Sequence, residues 1–159
     1  MTFKNQKWET RIDTLGDPAE TAFEAWAEHN HHPVVRYGLN RPPLDMRMLD
    51  VPIRYTPDYL TNFGLVEVQG CGKDGLFKFK HEKLDALLMW HTAMTNVSVW
   101  LYNQPQDEDY LLSLAQVLQV CKDPTTGYRH DGLFDGHKRY AHFDTQTAYR
   151  LSLQLRTDE

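Results

Sequence analysis

The sequence predicts an α/β fold, and three features predict it. A capped amphipathic helix covers residues 16–28, and a Pro-Asp hairpin spans residues 55–70. A second amphipathic helix at about 81–94 then runs into the apolar strand Val97-Ser-Val-Trp-Leu-Tyr102. At 159 residues, with 41% hydrophobic and 12% aromatic content, the chain reads as one domain with a core of its own. No stretch approaches the roughly 20 apolar residues of a membrane span.

Residues 1–15 are polar, with Phe3, Trp8, Ile12 and Leu15 as scattered apolar anchors, and read as an arm. In Gly16-Asp-Pro-Ala-Glu20 the helix signals are dense: Asp17 suits the N-cap, Pro18 suits N1, and Glu20 falls at N3 of a capping box. Ala19, Ala22, Phe23 and Trp26 recur at helical spacing as the buried stripe. Glu20 is therefore explained as a cap before any other role, and Glu24, one turn on, is the alternative acid. His29-Asn-His-His32 reads as a helix end favoured by the dipole, because no second cluster completes a zinc set. Residues 33–38 form a strand. Residues 39–52 are irregular and hold Asp45 and Asp50, two further carboxylates, with Arg41 and Arg47; Arg54 follows.

Within the hairpin, alternation sets Leu65, Glu67 and Gln69 on one face and Val66 and Val68 on the other. The Thr61-Asn-Phe-Gly64 turn folds Glu67 back towards Asp58. Two carboxylates and an amide then meet at one end of a small sheet, oxygen donors of the kind hard divalent cations take. Gly70-Cys-Gly-Lys-Asp-Gly75 is a loop without the phosphate-cradle pattern. Phe77-Lys-Phe-Lys80 alternates as a short strand or helix lead-in, and Leu84, Leu87, Leu88 and His91 mark one face of the following helix. Lys73, Lys78, Lys80 and Lys83 crowd its start, partly offset by Asp74 and Glu82. A polar turn at 103–107 precedes a helix at about 108–121. Residues 122–144, with His130, Asp131, Asp135, His137 and His142, read as a surface loop, and residues 145–156 as a last strand or helix.

The net charge of −5 argues against nucleic-acid binding by bulk positive charge, yet it is compatible with a carboxylate metal site beside a local basic face. Cys71 and Cys121 lack CxxC spacing, and the first nine residues lack a signal-peptide core, so a cytoplasmic protein with free thiols is expected (host cytoplasm, if viral).

Three motifs in order carry a family resemblance. Gly16-Asp-Pro-Ala-Glu20, Thr56-Pro-Asp58 and Val66-Glu-Val-Gln-Gly70 resemble the Gly-x-x-Ala-Glu, Pro-Asp and hydrophobic-Glu-Val-Lys-Ser/Gly motifs of the PD-(D/E)xK nuclease superfamily, and most of all those of archaeal-type Holliday junction resolvases. The resemblance covers residues 16–102 and leaves 103–159 as a C-terminal extension. It implies a restriction-endonuclease-like core, a central mixed sheet flanked by helices. It also implies Mg²⁺ or Mn²⁺ held by Asp58, Glu67 and the Val68 carbonyl, with Glu20 completing the acidic cluster. Phosphodiester hydrolysis needs hydroxide at neutral pH and relief of charge on the phosphorane, which such ions supply.

Gln69 departs from the family's lysine. An amide orients water or phosphate but carries no charge and exchanges no proton at neutral pH. The missing charge is assigned first to Lys80 and second to Lys83, both at the start of the second helix. Arg36, Arg41, Lys73, Lys78 and Lys83 are the candidate DNA contacts. The expected function is a metal-dependent endonuclease, a homodimer resolving branched DNA. An exonuclease or restriction-like enzyme with the same site is the alternative, as is a non-catalytic nucleic-acid-binding module that kept the fold.

Overall fold

A computed structural model describes residues 18–39, 48–125 and 127–155. The fold is α/β, with a mixed five-stranded central sheet flanked by helices. In chain order its elements are α1 (Pro18–His29), β1 (Val34–Arg36), α2 (Val51–Arg54), β2 (Tyr59–Thr61), β3 (Gly64–Gly70), β4 (Leu76–Lys80), α3 (His81–Ala93) and β5 (Val97–Asn103). A 3₁₀ turn at Gln104–Gln106 leads to β6 (Glu108–Ser113) and α4 (Leu114–Cys121). The chain ends with β7 (Lys122–Asp123), β8 (Gly127–Tyr128), β9 (Gly132–Leu133), β10 (Arg139–Asp144) and α5 (Thr145–Leu155). The sheet order is β1-β2-β3-β5-β6. Only β3 and β5 run parallel, joined by the crossover through β4 and α3; the other pairs are antiparallel.

The alternation read in the hairpin holds. Leu65 packs into the larger core with Leu84 and Leu87 of α3, Val99 and Leu101 of β5, and Phe77 and Phe79 of β4. Val66 and Val68 face the other way, onto Ala19 and Phe23 of α1, with Tyr59 and Trp100. β3 is covered on both faces, and Leu65 through Val68 are all buried.

α1 matches its expected span. Asp17, the expected N-cap, lies outside the described residues, as do Asp45, Arg41 and Arg47. α3 buries Leu84, Ala86 and Leu87, whereas Leu88 is exposed; His91 accepts the Val97 N–H through Nδ1 at 3.0 Å, tying the helix end to β5.

Two expectations are corrected in the last third. The stretch 108–121 is a strand followed by a helix. Tyr110, Leu112 and Leu114 alternate into the core, then Val117 and Cys121 continue at helical spacing. Ser113 marks the junction with a full capping box to Gln116, an S-x-x-Q signal that helical periodicity alone overlooks. The stretch 122–144 is likewise not one loop. β10 pairs antiparallel with β4, and its Ala141 and Phe143 point into the larger core. Residues beyond 102 thus share the core of residues before it. The end, undecided in the sequence, is the helix α5.

Candidate functional site

The site begins where the β2–β3 ladder stops. Tyr59 pairs with Val66, and the same register carried back two residues sets Asp58 across from Glu67 and Pro57 across from Val68. Proline has no N–H to give the Val68 carbonyl. The Val68 N–H is taken instead by the Asp58 side chain, whose Oδ2 accepts it at 2.8 Å. The N–H and C=O of one strand residue point to the same side, so the Val68 carbonyl also faces Asp58. The Pro-Asp dipeptide thereby ends the ladder and replaces its next bond with a carboxylate.

The main chain of Asp58 is held by the residues that follow β1. Its carbonyl accepts the N–H groups of Tyr37 and Gly38 at 2.9 and 3.0 Å. Gly38 is needed at this approach, because a Cβ there would lie 2.9 Å from the Pro57 carbonyl oxygen and 3.0 Å from the Asp58 Cα.

Glu67 is buried, 3% exposed, at the edge of the larger core. Its carboxylate forms an ion pair with Lys83, which reaches back from the first turn of α3. The same ammonium donates to Gln69 Oε1 at 3.2 Å, and the Gln69 amide donates to the Gly70 carbonyl at 3.1 Å. Lys83 precedes Leu87 by four residues, so it stands at the end of the buried face of α3, where it can enter the site.

Electrostatics follow from this packing. Burial, reinforced by the charge of Glu67, holds the Asp58 carboxyl well above the usual carboxylate range; Lys83 and the Val68 N–H pull the other way without winning. Asp58, Glu67 and the Val68 carbonyl are oxygen donors of the kind a hard divalent cation takes, once Asp58 has given up its proton.

The first choice for the missing lysine is corrected. Lys80 lies on the outer face of β4, opposite buried Phe77 and Phe79, and its ammonium sits 6.0 Å from the Tyr55 ring and 5.6 Å from the Phe134 ring. Lys83 occupies the place the sequence ranks second.

Glu20 is also placed differently from the expected three-acid cluster. It belongs to the α1 side of the sheet, where Arg36 Nη1 holds its Oε2 at 2.6 Å. Arg36 lies over the Tyr59 ring and donates to the Tyr59 hydroxyl at 3.3 Å; that hydroxyl donates to Glu24 at 2.7 Å. Burial lowers the Arg36 pKa, but the hydrogen bond and charge of Glu20 outweigh it and raise the value overall. Tyr59, which no sequence motif marks, is the hub joining Arg36 to Glu24. Among the described residues, no three His, Cys, Asp or Glu side chains come close enough to hold a metal ion. The charge of Glu20 also acts on Asp58, as the smallest of the effects that raise its carboxyl.

Of the remaining candidate DNA contacts, Lys73 is exposed in the β3–β4 loop and Lys78 pairs with Asp74 at 2.5 Å. Asp50 stands before α2, and Arg54 donates to the Leu49 carbonyl at 2.9 Å. Of the histidines at the end of α1, His32 stacks on Trp26 and bonds Asn62 at 3.1 Å. Cys71 and Cys121 are free thiols, the latter pushed up to about 12 by burial. Among the described residues, no helix is long and apolar enough to cross a membrane. Comparison of the chain with protein-family models, with curated proteins and with solved structures found no match.

Proposed function

We propose that the chain is a metal-dependent DNA endonuclease of the PD-(D/E)xK type, with a restriction-endonuclease-like core and branched DNA as its substrate. The observation that carries this reading is Lys83, paired with Glu67 and hydrogen-bonded to Gln69. A positive charge stands at the amide where the resembled motif has lysine, beside two opposed acids.

Asp58, Glu67 and the Val68 carbonyl would hold Mg²⁺ or Mn²⁺. A bound divalent cation lowers the pKa of water and offsets the charge that builds on a phosphate under attack. Gln69 can orient water or a phosphate oxygen through its amide but cannot take a proton. Lys83 contributes the fixed positive charge next to it. Burial raises the Asp58 carboxyl, so a cation there would compete with a proton and bind more strongly as pH rises. A homodimer would put two sites on one junction; Tyr149 and Leu153, exposed four residues apart on α5, support such an interface.

A second reading has an observation of its own. With Glu20 held by Arg36, Glu67 by Lys83, and Asp58 inclined to keep a proton, the site is nearly neutral without metal. That is the state a non-catalytic DNA-binding module would have.

Cleavage of a labelled four-way junction, a matched duplex and a single strand, in Mn²⁺, Mg²⁺ or EDTA, separates the two. We expect paired cuts in the junction that need metal and vanish in Glu67→Ala. Cutting of all three substrates would keep the nuclease and discard the junction preference, and degradation from ends would favour an exonuclease. Junction binding without cutting in any metal, and without a metal-dependent rise in melting temperature, would establish the module instead.

A further inference from the structure

A cleft of about 440 Å³ opens beside Gln69, lined by Gly70, Lys78, Tyr102, Gln104 and Phe134 among others. It lies beyond the carboxyl ends of the parallel strands β3 and β5, where open α/β sheets commonly bind ligands. Its size falls in the range of small-ligand pockets. One wall comes from the last third of the chain, which the motif resemblance does not reach.

Phe134 on that wall belongs to a cluster of aromatic rings and lysines, of which Lys78 also lines the cleft. Because Phe77 and Phe79 point into the core, Lys78 and Lys80 stand on the opposite face of β4, next to Tyr140 of its partner strand β10. Lys80 lies 5.6 Å from the Phe134 ring, Phe134 lies 4.6 Å from Tyr140, and Lys78 lies 5.6 Å from Tyr140. Phe134 projects from a closed turn, its N–H bonded to the Lys138 carbonyl at 2.9 Å and its carbonyl to the His137 N–H at 3.1 Å. Tyr140 lies across Gly132 of β9, where any Cβ would overlap its ring. The rings are therefore held in place before a ligand arrives. Interleaved aromatic and basic side chains beside a groove are the chemistry that binds unpaired nucleotides, through base stacking with the backbone tracked by charge.

We propose that this cleft takes an unpaired nucleotide of a DNA strand, its base stacked on Phe134 and a phosphate met by Lys78. The proposal rests on the nuclease reading of Asp58, Glu67 and Lys83, which gives a strand its reason to run past Gln69. It narrows the substrate to DNA with a single-stranded segment next to the cut. Lys78 already pairs with Asp74, and Lys138 pairs with Glu82 at 2.9 Å. Stacking therefore contributes more to affinity here than charge.

The test is equilibrium binding of fluorescein-labelled octathymidine to the full chain, read by anisotropy in EDTA, where no metal-dependent step intervenes. A blunt duplex of equal length is the comparison. The single strand should bind more tightly than the duplex. Phe134→Ala should weaken single-strand binding by about tenfold, within the range for losing one stacked base. Phe134→Leu, which keeps apolar bulk and should keep the parent's melting temperature, should weaken it similarly, and Phe134→Trp should preserve it. Parent-like binding by the folded Phe134→Leu variant, or a duplex bound as tightly as the strand, would overturn the proposal. Phe134-dependent binding in a protein that never cuts with metal would sink the nuclease reading alone. Metal-dependent cutting with no Phe134 dependence would sink this one alone.

Discussion

Two acid–base pairs serve the same sheet from opposite faces, and they differ chiefly in burial. Glu67–Lys83 lies against the larger core, with side chains 4% and 19% exposed. Glu20–Arg36 lies on the α1 side, with side chains 26% and 29% exposed. Water screens the second pair and leaves each partner able to stand alone. Around the first pair, water is largely excluded, so losing one partner strands a charge in the core. The sequence treats Glu20 and Glu67 as equal members of one cluster. The fold makes one a buried partner in the candidate chemistry and the other a half-exposed clasp.

The largest effect should come from Lys83→Met. It leaves Glu67 buried without its ammonium, and urea unfolding should show a loss of about 3–5 kcal/mol. Adding Glu67→Leu to that variant should recover most of it, since an apolar pair of similar size replaces the ions. A loss no larger than that from Glu20→Gln would remove the distinction between the pairs.

Asp58 should respond with the opposite sign. Its raised carboxyl pKa means that the folded protein holds the proton more tightly than the unfolded chain does. The resulting stability is fully present below the ordinary aspartate value of about 3.9 and is lost as pH rises through the elevated folded value. Asp58→Asn keeps an acceptor for the Val68 N–H and removes the ionisation. At neutral pH without metal it should raise the melting temperature by about 2–4 °C, roughly 1 kcal/mol for a chain of this size, and flatten the pH dependence. It should also abolish any stabilisation by Mg²⁺. An unchanged pH profile would show that Asp58 does not carry the site's proton.

The smallest effect belongs to the outer pair. Glu20→Gln should cost under about 1 kcal/mol, and the difference from the parent should shrink further in high salt. Thermal melts at two ionic strengths check both points.

Local signals were sufficient for much of the molecule. Pro18 and the apolar spacing of Ala19, Phe23 and Trp26 marked α1; alternation through Val66 and Val68 marked β3; the apolar run from Val97 marked β5. The Pro-Asp hairpin brought Asp58 to Glu67 because turn length and register are local properties. The last third was less legible. The strand β10 has no strong pattern of its own and exists because β4 offers it an edge and the core accepts Ala141 and Phe143. Leucines at 111, 112 and 118 fit a helix as readily as a strand ending at a cap, so periodicity alone does not separate β6 from α4.

By itself, then, the sequence determined the alternation of helices and strands, the faces of β3, and the pairing of two carboxylates across one turn. These depend on residues within a turn or a few positions of each other, where spacing fixes geometry. Only the tertiary structure decided which lysine stands at Gln69, which arginine holds Glu20, and that Phe134 borders the same cleft as Gln69. Those neighbours lie 14, 16 and 65 positions apart along the chain. Over such separations proximity is set by how the layers pack, and the outward turn of Lys80 on β4 follows from which of its neighbours the core buries.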